Sequence, residues 1–357
     1  MPGVRTCSLH TALLWSFHRT LHRPGLDASR VAPGLSFGGP FKSGSKDMAE
    51  KLRFEDLQTP MMTKRKGDDK FRRIGIIGLG IMGQGIAETV ASAGIEVISL
   101  ERDDAGLKAG LDGLSKAMDI EIKRWGKTAS EKRAVLSRVK GTTNLADLKD
   151  CDIVVEAVDE NFDLKRKLIQ DFYAIGKEGA TFISNTSSLS LTRLAEGAKR
   201  PDRIIGMHFL NPVPRVPLVE IIRGMKTSDE TYQLVRTFAK RIGKTPVEVF
   251  EYPGFVTTRV ILPLLNEAIH VLMEGIAKAE DIDTAIALGY DMQVGPLEMA
   301  DSIGLDEVLM WMETLFHELG EPRYRPCPLL RRMVREGKLG KKSGQGFFKY
   351  NELGKRV

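Results

Sequence analysis

An α/β fold, a doubly wound parallel sheet followed by an all-α C-terminal domain, is what the sequence predicts, and three observations predict it. Short apolar runs alternate with amphipathic stretches up to residue 250. One of these runs, residues 152–158, is apolar almost throughout, as a parallel strand covered on both faces must be. Beyond Pro253 the strand signals give way to long stretches with helical spacing.

The first unit carries the most information. A strand over residues 74–77 runs into Gly78-x-Gly80-x-x-Gly83, an amphipathic segment follows over 86–93, and a second strand over 96–100 ends at Glu101, eighteen residues past Gly83. In a chain with 35 glycines a lone glycine pattern is weak, so the flanking strand, helix and acid decide its meaning. The first glycine permits the tight strand-to-helix turn. The second lets backbone N–H groups approach a pyrophosphate, and the third lets the helix pack while its positive end faces the phosphates. This is a Rossmann-type dinucleotide site, with Gly78, Gly80, Met82 and Gly83 against the phosphates. A carboxylate at Glu101 accepts from the ribose hydroxyls and repels a 2′-phosphate, which favours NAD over NADP. Arg102 beside it reads as a solvated surface cation.

Next come charged helices over 105–125 and 128–138, a short strand over 139–143, the central run 152–158, and a helix over Phe162–Ile175. A strand over Thr181–Ser184, a short helix over 189–196, and strands over 203–209, 217–222 and 246–250 complete the sheet-forming half. Helices over 256–274, 279–288 and 305–319 fill the remainder. The expected organisation is an N-terminal extension (1–69) outside the fold, disordered or cleaved, a dinucleotide-binding domain (70–252), and a helical domain (253–357) for substrate and dimerisation. The Gly- and Lys-rich run 338–350 reads as a solvated tail folded over the helical domain.

Composition excludes several classes. The net charge is +6, but residues 1–47 hold six Lys or Arg against Asp27 and Asp47, leaving 47 basic and 45 acidic side chains for the rest. A nearly neutral body offers no nucleic-acid face. No apolar run approaches the roughly 20 residues of a membrane span. Cys7, Cys151 and Cys327 lack metal-ligand spacing and read as reduced thiols, with Cys151 in the core and no metal expected. Residues 1–47, with Arg5, Arg19, Arg23 and Arg30 and a row of Leu9, Leu13, Leu14, Phe17 and Leu21, read either as a mitochondrial transit peptide or as sequence upstream of a start at Met48. The expected location is the cytoplasm, or the mitochondrial matrix in the transit-peptide case.

A second cluster lies at Ser184-Asn-Thr-Ser-Ser-Leu189, Gly206-Met-His-Phe-Leu-Asn-Pro-Val-Pro214 and Val219-Glu-Ile221. A strand ending near His208, a proline-rich reversal and a return strand bearing Glu220 would bring an imidazole beside a carboxylate. A glutamate accepting from Nδ1–H fixes the tautomer and leaves Nε2 free to take a hydroxyl proton. A histidine at a strand end is also often a satisfied core residue. Glu220 in an apolar strand is harder to explain that way, since a buried carboxylate requires a partner.

With these motifs in order, the chain resembles the short-chain 3-hydroxyacyl-CoA dehydrogenase family, and within it the bacterial 3-hydroxybutyryl-CoA dehydrogenases, from about Phe71 to Tyr350. The resemblance rests on Gly-Leu-Gly-Ile-Met-Gly at 78–83, Val-Glu-Ala-Val-Asp-Glu-Asn at 155–161, Ser-Asn-Thr-Ser-Ser-Leu at 184–189, His-Phe-Leu-Asn-Pro-Val-Pro at 208–214 and Leu-Val-Glu-Ile-Ile at 218–222. It also rests on Pro-Gly-Phe at 253–255, Gly-Pro-Leu-Glu at 295–298 and Gly-Lys-Lys-Ser-Gly-Gln-Gly-Phe at 340–347. The resemblance implies NAD-dependent interconversion of a 3-hydroxyacyl-CoA and the 3-oxoacyl-CoA by a homodimer. It makes His208 the base, Glu220 its orienting partner and Ser187 the donor to the substrate oxygen, with Asn211 a substrate-facing or supporting amide. Glu160 and Lys165 fall where the family meets the nicotinamide ribose and its surroundings, though Lys165 reads equally as a helix-surface cation. One departure is Thr258, where the family usually has an asparagine that positions the thioester. A dehydrogenase of a free hydroxy acid (a sugar acid or carnitine) and a non-catalytic NAD-binding protein are the alternatives. The apolar stripes at 260–265 and 269–273 serve either a subunit interface or the core.

Overall fold

The computed structural model describes residues 71–123, 126–352 and 354–357. The extension over 1–69, and the end of the helix expected to reach residue 125, lie outside them. The sheet has eight strands: β1 (Arg73–Ile77), β2 (Glu96–Leu100), β3 (Val139–Thr142), β4 (Ile153–Glu156), β5 (Thr181–Ser184), β6 (Ile204–Phe209), β7 (Leu218–Arg223) and β8 (Thr245–Phe250). Their order is β3-β2-β1-β4-β5-β6-β7-β8. All neighbours run parallel except β6 and β7. The chain builds outward from β1 to β3 and then returns to β4, so a crevice opens at the carboxyl ends between β1 and β4. Open α/β sheets bind ligands at this reversal.

Period-two alternation divides the core between the two faces. Ile74, Ile76, Ile153 and Val155 point to one side, where they meet Ile86, Val97 and Phe238. Ile77 and Val154 point to the other, against Ile169, Phe172 and Phe182. Cys151 is fully buried in that second cluster. The covering helices are α1 (Ile81–Ser92), α2 (Asp104–Lys123), α3 (Ala129–Leu136), α4 (Phe162–Ile175), α5 (Leu191–Leu194) and α6 (Asp229–Arg241). The sequence reading has no counterpart for α6. It is capped by Ser228, whose hydroxyl accepts from Thr231 N, and it lays Tyr232, Val235, Phe238 and Ala239 on the sheet.

The remainder is helical: α7 (Thr257–Met273), α8 (Ala279–Gly289), α9 (Pro296–Ile303), α10 (Leu305–Leu319) and α11 (Pro328–Arg335). Leu262, Leu265 and Ile269 of α7 are fully buried against Leu297, Val308 and Met312, so that part of the expected stripe is core. Val260, 70% exposed, lies outside it. The C-terminal run is not a solvated tail. Phe348 and Tyr350 are buried in the helical core, and Asp301 of α9 accepts from Phe347 N, Phe348 N and the Tyr350 hydroxyl at 2.9–3.0 Å. Among the described residues no helix is long and apolar enough to cross a membrane.

Candidate active site

The glycine loop sits at the crevice. Gly78 has φ 91°, and a Cβ there would stand 2.8 Å from the Ala157 carbonyl oxygen at the end of β4. A Cβ on Gly83 would lie 1.9 Å from the Gly78 oxygen, so α1 can start beside the loop only with glycine at that position. A Cβ on Gly80 would meet nothing within 4 Å. Gly80 is also the N-cap of α1 and supplies no side-chain acceptor, so the leading N–H groups of the helix face an open cradle. This fits a pyrophosphate. The Met82 side chain packs against the core, which leaves its backbone N–H in the first turn as the group it can offer. Glu101, just past β2, accepts from Leu79 N in the loop and from Arg102 N at 3.2 Å. Arg102 itself is 92% exposed and pairs with Asp103.

The second cluster assembles on β6 and β7, with β4 and β5 between it and β1. The antiparallel register of β6 and β7 sets His208 opposite Glu220, and His208 Nδ1 lies 2.7 Å from Glu220 Oε2. Both are buried. The carboxylate also accepts from Val256 N (3.0 Å) and Thr257 N (2.9 Å) at Oε1, and from Thr257 Oγ1 (2.7 Å) at Oε2. Glu220 thus occupies the positive N-terminus of α7, where four donors hold it ionised. Burial raises its carboxyl pKa, but the bonds from His208 and Thr257 outweigh burial and hold it below the usual carboxylate range. An ionised acceptor requires the proton on Nδ1, which leaves Nε2 as the free nitrogen. Phe255 packs its ring 5.5 Å from the imidazole at a 56° tilt, from a backbone with φ 49°.

The chain matches the family model for the NAD-binding domain of 3-hydroxyacyl-CoA dehydrogenases over residues 73–252, and that for their C-terminal domain over 254–350. It belongs to the 3-hydroxyacyl-CoA dehydrogenase family. Among its relatives, the probable 3-hydroxybutyryl-CoA dehydrogenase of Deinococcus radiodurans is 46% identical over 278 residues, covering 78% of this chain and 100% of that one. The corresponding Bacillus subtilis protein is 44% identical over 283 residues, 79% of this chain and 99% of that one. The solved (S)-3-hydroxybutyryl-CoA dehydrogenase of Ralstonia eutropha is 45% identical, with a TM-score of 0.73 over 79% of this chain and 100% of that one. As a 3-hydroxyacyl-CoA dehydrogenase the chain is an oxidoreductase that uses NAD.

The other positions that carry the family likeness are placed differently from one another. Ser187 follows β5, beside the end of β6 that carries His208. Its N–H donates to Glu160 Oε1 at 3.0 Å, and its Oγ lies 3.5 Å from that oxygen. Thr186 Oγ1 (2.5 Å), Ser188 N (3.0 Å) and Ser188 Oγ (3.0 Å) donate to the same atom. Lys165 is fully buried, which removes the surface-cation reading: its Nζ lies 2.7 Å from Glu156 and 3.2 Å from Glu160. Burial pushes the Glu156 carboxyl up. Burial also acts on Glu160, but there Lys165 and the hydrogen bond from Thr186 prevail and hold it below the usual range. Asn211 is exposed in the reversal after β6. Thr258, 4% exposed, is buried one residue past Thr257, and it is Thr257 that touches the pair.

Sequence reasoning missed Thr257, Phe255 and Glu156. For Glu156 the signal was present: an acid inside a continuous apolar run needs a partner, as argued for Glu220, and Lys165 nine residues on supplies it.

Proposed function

We propose that the chain interconverts a short-chain (S)-3-hydroxyacyl-CoA, such as 3-hydroxybutyryl-CoA, with the 3-oxoacyl-CoA. The reading rests on the His208–Glu220 contact at 2.7 Å, fixed by the start of α7. In the oxidative direction His208 Nε2 takes the proton of the 3-hydroxyl, and Glu220 stabilises the imidazolium that results. NAD held at the glycine loop and Glu101 would supply the hydride acceptor for C3. Ser187 donates to the substrate oxygen, where negative charge develops in the reverse reaction. Asn211 and Thr258 face the acyl thioester. Gly78, Gly80, Met82, Gly83 and Glu101 hold the dinucleotide. Glu160 and Lys165 border the nicotinamide ribose, and the bonds that the 186–188 loop gives to Glu160, itself paired with Lys165, keep Ser187 in place.

Residues 70–252 form the cofactor domain and 253–357 the domain for substrate and dimerisation. The exposed apolar Phe250, Tyr252, Val256 and Val260 around the start of α7 support a homodimer. The cytoplasm is its location, or the mitochondrial matrix should residues 1–47 direct a reporter there.

The test is NADH consumption by the full chain with acetoacetyl-CoA, beside free acetoacetate and NADPH. Turnover with NADH and the thioester alone supports the proposal. Turnover on the free acid instead refutes the thioester assignment and directs attention to Thr258.

A further inference from the structure

A buried cation outside the pair points to a further residue of the site. Lys244 is 6% exposed, between the end of α6 and β8. Among the described residues no carboxylate pairs with it, and burial lowers the pKa of its ammonium. Its Nζ donates instead to the carbonyls of Val213 and Val216, the latter at 2.7 Å. Both belong to the reversal that joins His208 and Asn211 to Glu220. The next residue extends the hold, since Thr245 N donates to Pro217 O at 2.6 Å. Val213 also packs on the glycine helix: a Cβ on Gly85 would lie 2.9 Å from the Val213 Cβ. Pro212 O accepts from Arg215 N and Val216 N, which closes the loop on itself.

Burying a charge without a counter-ion is costly, and an apolar side chain would fill the same space without that cost. A lysine head, however, can bridge two carbonyls that would otherwise lack a donor, and so fix the shape of the loop between them. We propose that Lys244 is a positioning residue for the reaction: it sets the path of the 212–217 reversal and thereby the placement of Asn211 and of the His208 end of β6. The inference rests on the functional reading above. Misplacing reacting groups by about 1 Å costs up to about a hundredfold in rate.

The experiment compares the full-length wild type, Lys244→Met and Lys244→Gln by steady-state turnover of acetoacetyl-CoA, by NADH affinity from nucleotide fluorescence, and by thermal unfolding. The expected result is a fall in kcat of at least about tenfold for K244M and a smaller one for K244Q, which keeps a donor. NADH affinity should stay within about twofold, because the glycine loop and Glu101 are untouched. A folded K244M with wild-type kcat and only a lower Tm would overturn the proposal, as would a loss confined to NADH affinity. Should K244M fail to fold, K244Q decides: lowered kcat with unchanged NADH affinity supports the role, and wild-type kcat refutes it. Absence of turnover by the wild type would count against the acyl-CoA reading and is thus distinguishable.

Discussion

Replacing Glu220 with glutamine keeps the side chain's shape and removes its charge, and the structure says what the amide must then do. Both carboxylate oxygens accept: one faces the N–H groups of Val256 and Thr257, the other His208 Nδ1 and the Thr257 hydroxyl. An amide has one oxygen. With its nitrogen toward the helix, two backbone N–H groups lose their acceptor, at about 1–3 kcal/mol each. With its nitrogen toward the imidazole, the Thr257 hydroxyl can rotate to accept, and His208 relieves the clash by moving its proton from Nδ1 to Nε2. The second arrangement orphans fewer groups, so it prevails, and it removes the lone pair that takes the substrate proton. General-base catalysis contributes about 10²–10⁴-fold, so kcat for 3-hydroxybutyryl-CoA oxidation with NAD should fall by that factor, equivalent to about 3–5 kcal/mol of barrier. NADH binding, followed by fluorescence, should be unchanged, and Tm should change little. A Glu220→Gln enzyme with kcat within about threefold of wild type would refute the tautomer argument and with it the assignment of His208 as base.

Three further outcomes are expected. Glu101→Ala removes the acceptor beside the glycine loop, so KM for NADH should rise about tenfold and the preference over NADPH should shrink, as read from parallel titrations with the two nucleotides. Lys165→Met strands the buried Glu156 and removes the cation from the half-buried Glu160, and should destabilise the fold by about 3–5 kcal/mol in urea unfolding, while adding Glu156→Gln to it should restore part of that loss. Asp301→Ala leaves the Phe347 and Phe348 N–H groups and the Tyr350 hydroxyl without their acceptor; a loss of about 3 kcal/mol and early proteolytic release of the segment after residue 340 are the expected readings.

Where the sequence carried strong periodicity, the structure follows it closely. The helix Phe162–Ile175, the strand Thr181–Ser184 and the helix Leu305–Leu319 stand where their spacing put them. The facing of His208 and Glu220 was legible for a similar reason, because a reversal of fixed length between two strands determines which residues pair. The helix Asp229–Arg241 was overlooked although Ser228 and the acids after it announce a start; its apolar stripe is narrow and charged residues dominate the segment. The helices Pro296–Ile303 and Pro328–Arg335 are eight residues each and open on proline, which reads as a break yet is well suited to a first helical position. The buried state of Lys165 was not legible, since a lysine four residues past an N-cap usually faces water. Only the packing of α4 over β4 shows that it points inward, to Glu156.

The acid beside the imidazole is also the anchor on which the first turn of α7 rests, and that turn begins three residues past the start of the second of the two matched family domains. The boundary that divides this enzyme into modules therefore passes through the contacts that fix the His208–Glu220 pair. Exchanging the helical half for that of a relative would replace donors that hold Glu220 against His208 without touching a residue of the sheet. Neither half alone holds all the donors that surround Glu220.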